Sequence, residues 1–497
     1  EQRARSSRHR RPCMRLRLPL LSSLLLLLAR CSSAFLLTAP PQLPPRLLPT
    51  SAPPIPPRPL IAASLPRRAG FAAALAPRML KLLKFADVPA ECSEPVDPKA
   101  LEQARTIVNA IRTDGEKAML EFATKFGDVK EGELWYADKE ELKAAYDTLD
   151  ADKRDVLSRV GARIRKFAKA QRASISDVET DIPGGKAGQL VTPVENAGCY
   201  APGGRYPLPS SVLMTAITAR EAGVKNVWVA SPHPDQVTKA AAHVAGADGM
   251  LKIGGAQAIA TMAEGMGPVP AANIIVGPGN QWVTAAKSLV QGRCAIDMLA
   301  GPSEVLVIAD ETADPKVVAA DLIAQAEHDV ESRPILVTTH APLHALINAE
   351  LATQIKELPS PNKETATAAM SKGFCIVAAS IDEAVSISDS IAPEHLEIMT
   401  AHPTQVGMQC NHYGGLFLGK YAAEVLGDYG VGPNHVLPTA GTAKYTGGLS
   451  VHTFLRIRTW MRVDEPADAQ EVVVDSIALA RMEGLEGHAR AAEARKL

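Results

Sequence analysis

Apolar residues recur at helical spacing among many charges over residues 97–126 and again over 139–175, a pattern that predicts surface helices. Beyond Gly185 the texture changes. Short β-rich runs at 227–230, 274–276, 305–308, 335–338 and 375–377 alternate with helix-like stretches such as 211–222. Alternation of this kind implies βαβ units and mostly parallel sheets, hence an α/β fold. Three glycine-rich segments, Gly203-Gly204, Gly254-Gly255 and Gly277-Pro278-Gly279, each run into a helical stretch. Such a turn can offer backbone N–H groups to a phosphate, yet taken singly each is more often only a tight turn. No G-x-G-x-x-G fingerprint occurs. Residues 468–496 return to a charged helical pattern with Val472, Val473, Ile477, Leu479 and Leu485 interspersed, the look of an appended helical piece that docks on another subunit.

Composition sets the first 79 residues apart. They hold 13 Arg, no Lys, 14 Pro and a single acid, Glu1. Within them Met14, Arg15 and Arg17 precede a leucine run ending at Leu28, then the small residues Cys31 to Ala34 before Phe35. Charged start, short apolar run and small-residue cleavage site are the parts of a signal peptide spanning about 14–34. The stretch 35–79 is basic, acid-free and rich in Pro, Ala and Ser, as a transit peptide is. The two together resemble the two-part plastid address of algae whose plastid lies inside extra membranes. A single membrane anchor is the weaker reading, since so short an apolar run with flanking prolines spans a bilayer poorly.

With the leader set aside, residues 80–497 carry 40 basic and 53 acidic side chains, a formal charge of −13. A body this acidic, without a Lys/Arg cluster, argues against nucleic acid as a partner. Five cysteines remain, Cys92, Cys199, Cys294, Cys375 and Cys410, scattered singly and with no C-x-x-C, which reads as reduced core thiols. Cys199 has only Arg205 nearby to lower its pKa and is expected to be a passive small side chain.

Asp314-Pro315 predicts an N-cap and first residue of a helix that presents Asp321, Gln325 and His328 on one face. Alone, that is the pattern of a solvated polar face; it is also ligand spacing, although zinc takes an amide oxygen only occasionally. Glu394 and His395 follow Pro393, an acid and an imidazole side by side, suited to proton transfer but also common as a surface pair. The loop from Gly427 to His435 is polar and glycine-rich, with Asp428 a candidate hard ligand and His435 a ligand or its neighbour.

From about Lys81 to the C-terminus the chain resembles the histidinol dehydrogenase family, in strings that occur in the family's order: Gly203 to Met214, Gly254 to Ala260, Gly277 to Asn280, Gly301 to Asp310, Gln325 to His328, Pro393 to Leu396 and Asn434 to Thr439. The resemblance implies oxidation of L-histidinol through L-histidinaldehyde to L-histidine with two NAD+, the last two steps of histidine biosynthesis. It implies one Zn2+ per subunit held by Gln325, His328, Asp428 and His488, with His395 as the proton acceptor and Glu394 as the activator of water. Ser303, Gln325, His328, His395, Asp428, Glu483 and His488 would contact substrate, and Tyr200, Gln257 and Asn280 would line the NAD+ site.

The same resemblance implies two Rossmann-like domains without the glycine fingerprint, with small helical segments at each end. The first is expected over 80–199 plus 305–449 with the zinc site, and the second, NAD-binding, over 200–304. Residues 450–497 would form a helical segment exchanged within a homodimer, carrying Glu483 and His488 into the partner's site. The leader implies a plastid stroma, with no stable membrane association once removed. Two rivals are set against this: a zinc hydrolase using Glu394, which lacks H-E-x-x-H and leaves Tyr200, Gln257 and Asn280 without a job, and a non-catalytic plastid protein of the same fold, which would be expected to have lost a ligand or the base.

Overall fold

The computed structural model describes residues 79–88, 96–203 and 207–497, so the leader falls outside the described residues apart from Met79, as do Cys92 and Arg205. Each helical stretch expected near the start resolves into two helices. Pro98–Asp114 begins at Asp97, whose carboxylate accepts the Ala100 N–H at 2.7 Å, and ends at Gly115 with φ 62°, after which Glu116–Lys125 starts afresh. Lys139–Thr148 and Ala151–Ala173 are capped in the same way by Asp138 and Asp150. No described helix is long and apolar enough to cross a membrane.

Two six-stranded sheets form the body. In the first, the spatial order is Lys81–Leu83, Phe374–Val377, Arg333–Thr338, Glu304–Ala309, His395–Met399, Gly415–Leu418, all parallel. In the second it is Tyr136–Ala137, Gly249–Leu251, Asn226–Ala230, Asn196–Tyr200, Ile274–Val276, Ala295–Ile296, parallel except for the first pair. After an N-terminal edge strand, Lys81–Leu83 in the first and Tyr136–Ala137 in the second, each sheet winds from a central strand outward on one side and then returns to the other. That is a doubly wound order, and the crevice where direction reverses is its usual ligand position. The central strands are buried on both faces; all six residues of Glu304–Ala309 are buried, as an apolar parallel strand requires.

Packing redraws the domain boundaries. The helices over 98–173, expected with the first domain, pack instead on Gln281–Val290, Gly255–Glu264, Gln236–Ala245 and Pro209–Ala222, the helices of the second sheet. Their apolar stripes fit that layer: Ile107, Val108, Ile111 and Met119 share a core with Ile259, Met262 and Val283. Asn196–Tyr200 is likewise the centre of the second sheet rather than the end of the first domain. The C-terminal segment is not wholly helical either. Leu455–Val463 alternates apolar and basic residues at a period of two and forms a strand, antiparallel to Gly185–Pro193 in a three-stranded sheet with Val178–Ile182. Only then do the helices Gln470–Met482 and Glu486–Glu493 follow.

A short connection joins the two sheets. The chain leaves Ala295–Ile296 at the carboxyl edge of the second and enters Glu304–Ala309 at the amino edge of the first, so these two edges are neighbours. The joint is tied by Gly301 N–H to Thr439 Oγ1 at 2.6 Å, Thr284 Oγ1 to the Ala300 carbonyl at 2.9 Å, and Asn434 Nδ2 to the Met214 carbonyl at 2.9 Å.

At the carboxyl edge of the second sheet a buried ion pair fixes one turn. Lys287 bonds Asp297 and donates to the Gly277 carbonyl at 3.0 Å, while Asp297 accepts the Gly277 N–H at 2.7 Å. Gly277 has φ 114°, and a Cβ there would lie 2.0 Å from the Tyr200 carbonyl oxygen, so glycine is required. Replacing Lys287 by Met strands a buried carboxylate and is expected to cost about 3–5 kcal/mol, seen as a lower urea midpoint. An unchanged midpoint would show that the pair does not hold the turn.

Candidate functional site

Glu304 and His395 open the two strands that flank the reversal point of the first sheet, and the helix Pro315–Ala326 returns beside them, so that Gln325 in its last turn lies at the same amino edge. The site therefore gathers at the end of the sheet opposite the usual carboxyl edge. Burial removes the bland alternatives: Gln325 is fully buried, Asp321, Glu394 and His395 are buried, and only His328, just past the helix, reaches solvent. Asp314 caps the helix as expected, accepting the Lys316 N–H at 3.0 Å.

His395 Nδ1 lies 3.0 Å from the Glu304 carbonyl oxygen, which can only accept, so Nδ1 carries the proton. Nε2 then keeps its lone pair, has no hydrogen-bond partner among the described residues, and lies 3.8 Å from Asp428 Oδ1. Burial lowers the pKa of His395, against the pull of Asp428, and keeps the ring neutral. Glu394 accepts the Glu304 N–H at 2.9 Å through Oε2, which is also 3.7 Å from His395 Nδ1. Burial holds the Glu394 carboxyl well above the ordinary range, against the pull of the Glu304 N–H and with the charges of Glu304 and Asp428 pushing the same way. A neutral imidazole and a strongly basic carboxylate thus stand side by side, the pairing that proton transfer needs.

The amide of Gln325 lies 3.0 Å from the Glu304 carbonyl oxygen, 3.3 Å from Glu424 Oε2 and 3.0 Å from His395 Nδ1. Two acceptor oxygens require the amide nitrogen on that side, which leaves Gln325 Oε1 as the free donor atom. One ligand atom each from His328, Glu424 and Asp428 lie within 4.8 Å of one another, His328 Nε2 being 3.6 Å from Asp428 Oδ2. Behind them, burial raises the pKa of Asp321, Glu397, Glu304 and Glu424, the last also through Asp428 and Glu397. Glu424 Oε1, Glu397 Oε2, Asp321 Oδ2 and Glu304 Oε2 are buried without a hydrogen bond. So many acids with unpaired oxygens fit a divalent cation, and the imidazole, amide and carboxylate donors of His328, Gln325 and Asp428 suit zinc.

Glu424 was not legible as a donor, though it stands four residues before Asp428 in the short helix Glu424–Asp428 and so on the same face. Glu304 and Glu397 sit in apolar strands and gave no sign at all. His435 is not one of the gathered ligand atoms. Its Nδ1–H donates to the Asp428 carbonyl at 2.9 Å and Nε2 lies 3.4 Å from Ser211 Oγ, so it braces Asp428 against the other lobe. Ser303 is half-buried immediately before Glu304. Glu483 and His488 are exposed on the C-terminal helix pair, outside the cluster around Gln325 within this one chain.

Tyr200, Gln257 and Asn280 come together at the carboxyl edge of the second sheet. The Tyr200 hydroxyl accepts the Gly255 N–H at 3.1 Å, Gln257 Nε2 donates to Asp128 at 2.7 Å, and Asn280 caps the helix Gln281–Val290. The Gly254 and Gly277 amides are likewise taken, by Asp128 and Asp297. The glycine turns thus present these three amides to the protein's own oxygens, not to an open phosphate cradle. Cys199 is wholly buried in the same strand, its thiol pushed up to about 12 by burial, in keeping with a passive side chain.

The family model for histidinol dehydrogenase matches residues 92–496. A histidinol dehydrogenase of Thermus thermophilus is 43% identical over 404 residues, covering 80% of this chain and 95% of that protein. A sulfopropanediol 3-dehydrogenase of Ruegeria pomeroyi is 41% identical over 402 residues, covering 79% and 92%. The crystal structure of a histidinol dehydrogenase from Elizabethkingia anophelis matches with a TM-score of 0.77 at 31% identity, covering 84% of this chain and 98% of that one.

Zinc at a hundredfold excess over its Kd is expected to stabilise the protein by about 2.7 kcal/mol, read as a rise in unfolding temperature, and Asp428→Asn to remove most of that rise. An equal rise in the variant would take Asp428 out of the donor set.

Proposed function

The chain belongs to the histidinol dehydrogenase family, and from that premise we propose that it carries L-histidinol through both oxidations to L-histidine, with NAD+ as acceptor and one zinc ion per subunit. As a member it is an oxidoreductase of histidine biosynthesis. The observation that carries the two-stage reading is His395 Nε2, unpartnered and deprotonated beside the buried Glu394 carboxyl.

In the first stage His395 Nε2 takes the hydroxyl proton as the carbinol hydride leaves for NAD+, giving the aldehyde and NADH. The protonated His395 then returns its proton to the aldehyde oxygen while Glu394 withdraws one from the water that adds to the aldehyde carbon, which gives the gem-diol and restores the neutral imidazole. His395 takes a proton from the resulting gem-diol as the second hydride leaves, giving the carboxylic acid and a second NADH. Gln325, His328 and Asp428, with His488, would hold the zinc, which when bound supplies a fixed anchor for the substrate's imidazole and amine. Ser303 and Glu483 would add substrate contacts, and Tyr200, Gln257 and Asn280 would line the dinucleotide side. Because the two sheet edges adjoin at Gly301–Thr439, a dinucleotide on one can face an alcohol on the other.

His488 and Glu483 would arrive from a second copy of the chain. Val474, Leu479, Met482 and Leu485 are exposed on the C-terminal helices, and Ile457 and Met461 on the strand before them, apolar surface that a homodimer would cover. The basic stretch 35–79, free of acids, behind a signal-peptide-like start supports delivery to a plastid.

Protein expressed from about Lys81 should form two NADH for each L-histidinol consumed, with chelation abolishing the reaction and zinc restoring it. Glu394→Gln should slow the second oxidation more than the first, by about 10²–10⁴-fold, so that aldehyde escapes and fewer than two NADH appear per histidinol. No NADH from zinc-loaded protein would overturn the dehydrogenase reading.

A further inference from the structure

In a doubly wound nucleotide domain the acid that accepts a ribose hydroxyl usually stands at the carboxyl end of the second strand. Here the winding begins at Asn196–Tyr200 and the second strand is Asn226–Ala230, followed by Ser231, Pro232, His233, Pro234 and Asp235. The only acid in that run is committed elsewhere, since Asp235 caps the next helix by accepting the Thr238 N–H at 2.7 Å. A different carboxylate reaches the position. Asp128 lies between the helix Glu116–Lys125 and the strand Tyr136–Ala137, outside the winding, and its side chain is 7% exposed.

Asp128 is held at this edge by two hydrogen bonds to the same oxygen. Oδ2 accepts the Gly254 N–H at 3.1 Å and Gln257 Nε2 at 2.7 Å. Oδ1 takes no hydrogen bond from a described residue and faces His233, whose Nε2 is 4.0 Å away on a side chain 59% exposed. His233 itself has φ 46°, a left-handed conformation that is strained for a non-glycine residue. Pro232 brings the neighbouring loops to the same place: a Cβ on Gly203 would lie 2.4 Å from its carbonyl oxygen, and one on Gly254 2.7 Å from its ring. The turns after the first three strands of the winding therefore meet around Asp128 and His233.

We propose that Asp128 is the ribose-recognising acid of this protein, accepting an adenosine ribose hydroxyl through Oδ1 and rejecting the 2′-phosphate of NADP+. The inference rests on the proposed use of a nicotinamide dinucleotide. A carboxylate with one oxygen fixed and the other open accepts a hydroxyl hydrogen bond in a single orientation, and its charge repels a phosphate at the same place. Gln257 then has a second role, since its amide holds Asp128 as well as lining the dinucleotide side.

The test measures NAD+ and NADP+ binding by calorimetry, and kcat/KM with each, on the intact zinc-loaded protein and two variants. Asp128→Asn keeps an oxygen for the Gly254 N–H but loses the charge. It is expected to narrow the preference for NAD+ over NADP+ at least tenfold, through the dinucleotide KM and not the histidinol KM. His233→Arg changes an exposed side chain and leaves the Gly254 bond alone, so it tests the edge even if Asp128→Asn fails to fold. It is expected to raise NADP+ affinity at least tenfold by offering a cation to the 2′-phosphate. Unchanged preference in either folded variant overturns the assignment, while a parent that still oxidises histidinol with NAD+ leaves the proposed reaction standing. A parent that binds neither dinucleotide overturns both.

Discussion

The hydrogen bond from His395 Nδ1 to the Glu304 carbonyl, 3.0 Å long, exists because two adjacent parallel strands begin one residue out of step, with Val305 opposite His395. That stagger leaves the Glu304 carbonyl beside the imidazole, fixes the ring's tautomer, and turns Nε2 into the site with its lone pair free. The same strand start places the Glu304 N–H on Glu394 at 2.9 Å, so one peptide neighbourhood orients both His395 and Glu394. A register shift of one residue would send these side chains to the opposite face and dismantle the pair.

Around this bond the protein assembles carboxylates that repel one another. Asp321, Glu397 and Glu424 are buried, Glu424 N–H donating to Glu397 at 2.8 Å, and several of their oxygens lack partners. Like charges in a desolvated pocket are unfavourable unless neutralised by protons or by a cation. A bound divalent ion would relieve that cost and would draw His328, the exposed member, onto the cluster. Stability and metal retention are then aspects of one electrostatic balance.

The carboxylate-rich site of the first sheet and the glycine turns of the second adjoin because a short connection runs from the carboxyl edge of one to the amino edge of the other. His435 and Asn434 hold that meeting from the far side through Ser211 and Met214. At the carboxyl edge of the second sheet, rigidity comes from within: the Lys287–Asp297 pair grips both polar groups of Gly277, and Asp128 and Tyr200 take the Gly254 and Gly255 amides. These turns are preorganised by the chain's own side chains, which is why their glycine content without the standard fingerprint is coherent.

The sequence by itself determined the alternation of strand and helix, because parallel strands buried on both faces must be runs of Val, Ile and Leu, and capped helices announce themselves through residues such as Asp97, Asp138, Asp150 and Asp314. It also marked Gln325, His328, Glu394, His395 and Asp428, through short strings whose order is specific to a family. It did not determine which sheet the helices over 98–173 would cover, since an amphipathic stripe specifies that a face is buried and not against what. In Leu455–Val463 the period-two pattern is broken at Thr459 and Trp460, so a sheet partner more than 250 residues away decides that it is a strand. Glu304, Glu397, Glu424 and Asp128 were invisible for the same reason. A carboxylate becomes a site group only when folding strips its water and sets a partner beside it, and distance along the chain says nothing about either.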